Sequence, residues 1–258
     1  MIPRLYVPLL EPEDVVRHLG KQEKHWKAGR SAHALASVWF QHNAFPPQIK
    51  AALSGHPAFQ SAELVDAFLE RKVDLKTEGR PSQTDLLAVI SLKDGLAILA
   101  VEGKAGESFG KYVDKWRDGS DGKDARLEGL CKILGLAPEA AMPLRYQLLH
   151  RAASAILEAQ HYRTKTAALL VHSFSDDKKG FADFSAFLQA LGFEAPAPGV
   201  LAGPVLRDGV LLYAGWVQDA PKGQSPGAYL DNLRSYAARI AKECKRVRAW
   251  CDEQQSKR

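Results

Sequence analysis

Asp85, Glu102 and Lys104 are the residues whose types and spacing could do chemistry together. Two carboxylates can share a divalent cation, and an ammonium group beside them can steer or deprotonate a water. An acid-x-Lys triplet by itself carries little weight, because Glu70/Lys72, Asp74/Lys76, Asp121/Lys123, Asp176/Lys178, Asp177/Lys179 and Glu243/Lys245 share that spacing. Glu102-Gly103-Lys104 differs in context. It ends the apolar run GLAILAVE, Gly95 to Glu102, which reads as a strand buried on both faces. A carboxylate and an ammonium there are costly to desolvate unless they pair or bind an ion.

Lys93-Asp94-Gly95 separates this run from LLAVISL, and Asp-Gly suits the positive-φ positions of a type I′ hairpin turn. With Asp94 and Gly95 as the loop, Lys93 lies opposite Leu96, Ile90 opposite Leu99, Leu87 opposite Glu102 and Asp85 opposite Lys104. Glu102 then shares that face, diagonal to Asp85. Cβ separations of roughly 5–8 Å across such a pair let two carboxylates meet on one ion. The plainer alternative is an Asp85–Lys104 salt bridge at the exposed end of a hairpin, with Glu102 solvated. Glu107, a further acid in the same small region, favours the site.

The elements that must position these residues follow from periodicity. Apolar residues recur at helical spacing from Arg30 to about Asn43, and Pro46-Pro47 starts a short helix ending near Gly55. Phe68 to Leu75, Thr84 to Leu92 and Gly95 to Glu102 read as three strands in close succession. Helical patterns follow around 111–118, 124–135 and 143–160. ALLVHSF at 168–174 is a strand, Gly180 to Leu191 a helix and LLYAGWV at 211–217 a further strand. Pro226 opens a last long helix with a basic face. The expectation is an α/β fold with a mixed sheet flanked by helices, one domain over 1–258. N-terminal helices occupy about 1–60, and a C-terminal strand and long helix about 205–258.

An Asp on one strand, a hairpin turn, then an apolar strand ending in Glu-x-Lys resembles the PD-(D/E)xK core of the restriction-endonuclease-like nucleases. Arg80-Pro81-Ser82-Gln83-Thr84-Asp85 through Val101-Glu102-Gly103-Lys104 is also similar to an uncharacterised bacterial branch of that superfamily. The αβββαβ order around the motif extends the likeness over most of residues 30–175, with Thr84 standing where the family has Pro. The resemblance implies that Asp85, Glu102 and the Gly103 carbonyl hold Mg²⁺, with Mn²⁺ a substitute, and that Lys104 orients or helps deprotonate the attacking water. It further implies a catalytic part for Gln147, since Tyr146-Gln147-Leu148-Leu149 is similar to the family's helix motif. Gln147, Arg151, Ser154 and Glu158 form a polar stripe on that helix, bordering the site or simply solvated. Glu63 or Glu70 is an upstream acid that could join the cluster or serve structure alone.

Other chemistries are poorly supported. None of the eight histidines makes an HxxxH or HExxH pair, and no Walker loop, GxGxxG or GxSxG appears. Cys131, Cys244 and Cys251 suggest neither a disulfide framework nor a zinc site, which points to a reducing compartment. The N-terminus lacks a long apolar core with a cleavage site, and no run approaches about 18 apolar residues, so a cytoplasmic protein without membrane contact is expected. A formal charge of +5 permits a polyanionic partner. Lys21, Lys24, Lys27 and Arg30 around Trp26 could track a phosphate backbone or be ordinary surface. The expected activity is metal-dependent phosphodiester hydrolysis, of DNA before RNA, with a homodimer allowed for. The alternative is a non-catalytic nucleic-acid- or protein-binding module that keeps the fold.

Overall fold

A computed structural model describes residues 9–19, 26–175, 178–194 and 197–219, all within one compact unit. The basic helix expected after Pro226, Lys21 and Lys24 lie outside the described residues. After a 3₁₀ helix (Pro12–His18) come two α-helices, α1 (Ser31–His42) and α2 (Pro47–Ser54). Asn43 at φ 47° ends α1, and Pro47 opens α2 at a position where its missing N–H costs nothing. Three strands follow: β1 (Glu63–Val73), β2 (Ser82–Leu92) and β3 (Gly95–Lys104). Next come α3 (Val113–Trp116), α4 (Asp121–Leu134), α5 (Pro138–Ala141), α6 (Tyr146–His161) and β4 (Thr166–Ser173). The described part closes with α7 (Phe181–Ala190), β5 (Leu201–Arg207) and β6 (Val210–Gln218).

The six strands form one mixed sheet in the order β1-β2-β3-β4-β6-β5. β1, β2 and β3 are antiparallel neighbours, β3–β4 and β4–β6 are parallel, and β5 returns antiparallel on β6. The apolar runs of β2 and β3 arise because both sheet faces are covered. Leu87, Val89, Ile98 and Ala100 pack toward α4, α6 and α7, while Leu86, Ala88, Ile90, Leu99 and Val101 pack toward α1 and α2. Alanines at 152, 153, 155 and 159 let the α6 backbone lie close to the sheet. No helix among the described residues is long and apolar enough to cross a membrane.

Two expectations need correction. The β2–β3 hairpin is displaced by two residues from the expected register: Leu92 faces Gly95, Ile90 faces Ala97 and Leu87 faces Ala100. The loop is Lys93-Asp94, neither with positive φ, and the positive φ (132°) falls on Gly95 as the first strand residue. A shift of two conserves the side-chain face, so the charged residues stay together while their partners change. The first strand also begins earlier than Phe68 and ends before Leu75; its edge position leaves Glu63 and residues 65–67 exposed, which hides the alternation. β5 escaped sequence reading because it carries Pro204, tolerated beside a register irregularity on an edge strand.

Candidate active site

The β2–β3 ladder ends at Leu86↔Val101, so the next positions outward are Asp85 and Glu102. On the other side, β1 pairs Leu69 with Leu86 and Arg71 with Thr84, leaving Glu70 across from Asp85. Three acids on three adjacent strands therefore fall in one row. Glu70 has φ 54°, a left-handed backbone that a non-glycine residue adopts only when its surroundings hold it there. Its side chain accepts a hydrogen bond from Gln83 Nε2 at 2.6 Å, and Gln83 also donates to the His18 carbonyl.

Helix α6 lays its polar stripe over this row. Arg151 donates through Nε to Glu102 Oε2 and through NH2 to Asp85 Oδ1 (3.2 Å), so its guanidinium bridges the two carboxylates. Lys104 Nζ donates to Glu102 Oε1 at 2.7 Å and to Gln147 Oε1 at 3.1 Å, while Gln147 Nε2 donates to Glu102 Oε1. The Lys104 ammonium also lies 4.8 Å from the Phe109 ring centroid. Asp85 Oδ2 accepts the Gly103 N–H at 3.0 Å. Glu102, Lys104 and Arg151 are only 1%, 4% and 6% exposed, so neither the solvated Glu102 nor the solvated helix stripe survives.

The electrostatics are unbalanced. Burial, then the Glu102 charge, pushes the Asp85 carboxyl up to about 6. Burial, then the Asp85 charge, pushes Glu70 up to about 8. Burial works the same way on Glu102, but the Arg151 and Lys104 charges outweigh it and hold this carboxyl down at about 2. Two cations thus balance two carboxylates, and the third acid keeps its proton near neutral pH. Beside them, burial and the Arg151 charge hold His150 well below the usual imidazole range, so it is neutral. His150 Nδ1 and the Ser82 hydroxyl are 2.9 Å apart, and Arg151 NH1 donates to Ser82 Oγ at 3.0 Å.

Asp85, Glu102, Lys104 and Gln147 are thus brought together, with Asp85 next to Glu102 rather than opposite Lys104. Gly103 meets the cluster through its N–H. Of the two upstream acids Glu70 lies in this row, whereas Glu63 faces Ser91 at the far end of β1 and Glu107 caps the Ala105 N–H at 2.8 Å. Arg151 received no catalytic role from the sequence, although its stripe with Gln147 was visible there. Of the rest of that stripe, Ser154 donates to the His150 carbonyl and Glu158 pairs with Arg71.

A cleft of about 840 Å³ adjoins the cluster: Ser82, Gln147, His150 and Arg151 are among its lining residues. Its wall is fixed where Tyr146 N donates to the Lys111 carbonyl and Val113 N to the Leu144 carbonyl, tying the start of α3 to the start of α6. Trp116 and Tyr146 stack there, with centroids 3.8 Å apart and planes at 7°.

The family match covers strands, cluster and cleft wall alike, at residues 8–221. The chain belongs to the family described as a domain of unknown function, DUF6946. No curated protein and no solved structure matches it. The acid row, α6 and the aromatic wall all lie within the matched DUF6946 segment.

Among the described residues no three His, Cys, Asp or Glu side chains stand as a ready cation cage, since Arg151 occupies the space between Asp85 and Glu102. Carboxylate oxygens are the donor type that hard divalent cations take. Three carboxylates crowd one patch, two of them held above their ordinary range by burial first and by a neighbouring carboxylate second.

Proposed function

We propose that this DUF6946 chain is a metal-dependent nuclease that hydrolyses phosphodiester bonds of DNA by activated water. The observation that carries the reading is the row Glu70, Asp85, Glu102 with Lys104, joined by hydrogen bonds to Gln147 and Arg151, which line a basic cleft. The order α1, β1, β2, β3, α6, β4 around that row supports it, as the order the PD-(D/E)xK resemblance implies.

Asp85, Glu102 and Glu70 would hold the cation, with the Gly103 carbonyl adjoining. Bound Mg²⁺ supplies Lewis acidity and lowers the pKa of water. Lys104, fixed by Glu102 and Gln147, presents an ammonium to the charge that grows on a phosphoryl group during in-line displacement. Gln147 holds both Lys104 and Glu102 and so keeps acid and ammonium at a set separation. Arg151 bridges Asp85 and Glu102 and also lines the cleft, where its charge can meet a substrate phosphate.

The test is cleavage of labelled DNA by the full chain with Mg²⁺ or with chelator. Cleavage should require the metal and be lost in Asp85→Ala and Lys104→Ala. A parent that cleaves no DNA, or variants that cleave as fast as it does, would remove the assignment and leave the binding module.

A further inference from the structure

Five cations line the cleft, Arg80, Lys111, Lys123, Arg126 and Arg151, against the single carboxylate of Glu78. Two of them are committed to the wall: Arg126 donates to the Tyr146 hydroxyl and to the Glu78 carbonyl, and Lys123 to the Trp116 carbonyl and Asp118. Arg80, just before β2, and Lys111, just before α3, are exposed and have no ion-pair partner among the described residues. Two uncommitted cations from separate segments thus flank the way down to Gln147 and Arg151.

Resting on the nuclease reading, we infer that this cleft takes an unpaired DNA strand, its phosphates held by Arg80 and Lys111 and its bases lying along the Trp116–Tyr146 wall. The depth of the chemistry decides this. Glu102 and Lys104 are buried and touch Gln147 and Arg151, which line the cleft, so a phosphate approaches them from the cleft side. A duplex holds its phosphates on a stiff double strand whose bending costs free energy, a cost that a flexible single strand does not carry. The cleft's 840 Å³ lies within the range of about 300–1,000 Å³ typical of small-ligand pockets, room for a nucleotide or two of flexible single strand. Cations that track a backbone beside aromatic rings are the elements from which single-strand sites are built.

The experiment is fluorescence anisotropy of the full chain in chelator, with a labelled single-stranded oligonucleotide and the same sequence as a blunt duplex. The single strand should bind at least about tenfold tighter. The double variant Arg80→Glu with Lys111→Glu should lose at least about tenfold of that affinity. Its log K against log salt should be shallower by roughly 1.4, for two phosphate contacts at about 0.7 each. Both side chains are exposed, so the melting temperature should hold; if charge reversal lowers it, Arg80→Ala with Lys111→Ala makes the same comparison. Equal or tighter duplex binding, or an unchanged affinity in the double variant, would overturn the inference. Lys104→Ala separates the two readings: it should abolish cleavage and keep single-strand binding. Duplex cleaved as fast as single strand through Lys104 would sink this inference and leave the nuclease. Strand binding without any cleavage by the parent would sink the nuclease and leave the cleft.

Discussion

Helix α6 carries two buried ion pairs about two turns apart, Glu158 with Arg71 and Arg151 with Asp85 and Glu102, and they are built differently. Arg71 donates from Nε and NH2 to one oxygen of Glu158, at 3.3 and 3.1 Å. The pair fastens edge strand β1 to the helix. Around Arg151 three acids meet two bases, two of the acids are held above their ordinary range, and Arg151 itself lines a cleft. The first arrangement is a fastening. The second sets carboxyls perturbed by burial and by one another beside a cleft, a pattern that functional sites share.

That contrast can be broken by experiment. Asp85→Ala or Lys104→Ala should reduce DNA cleavage by about 10²–10⁴-fold in single-turnover kinetics while strand binding persists. Glu158→Ala should instead cost about 3–5 kcal/mol in denaturant unfolding, because it leaves Arg71 buried without this partner. Below its melting range that variant should cleave at the parent's rate; a large loss of specific activity would show the two pairs to be coupled. Gln147→Ala removes hydrogen bonds to two charged groups, worth about 1.5–3 kcal/mol each, and should lower kcat roughly tenfold or more with little change in KM.

A smaller effect should appear in stability against pH. A carboxyl raised in the folded state binds its proton more tightly there than in the unfolded chain, so stability falls as pH rises across the interval. For Glu70 that interval runs from 4.5 to about 8, and for Asp85 from 3.8 to about 6. Glu102 acts in the opposite sense, losing its contribution as pH falls from 4.5 to about 2. In chelator the melting temperature should decline from about pH 5 to 8, and Glu70→Gln should flatten the decline. The least effect is expected of Glu107→Gln, which alters a loop cap and should stay within about 0.5 kcal/mol and leave cleavage unchanged.

Much of this was legible in the sequence where local pattern and tertiary demand agree. The unbroken apolar runs of β2 and β3 foretold a sheet covered on both faces, and Glu102 and Lys104 stood out as charges in such a strand. The register was misjudged because Asp-Gly fits a type I′ loop equally well on paper, whereas the chain spends its positive φ at Gly95. Parity saved the face. Glu70 was hard to single out because its place depends on the pairing of an edge strand with little alternation and on a left-handed backbone that no sequence rule assigns to Glu. Arg151 was visible in a stripe with Gln147, but only the fold could show that the stripe is buried against acids.

Calorimetric titration of Mg²⁺ into the full chain, into Asp85→Ala and into Glu158→Ala tests the central claim most directly. The account predicts binding by the parent and by Glu158→Ala, and loss of binding in Asp85→Ala. No binding by the parent, or binding that survives Asp85→Ala, would contradict it.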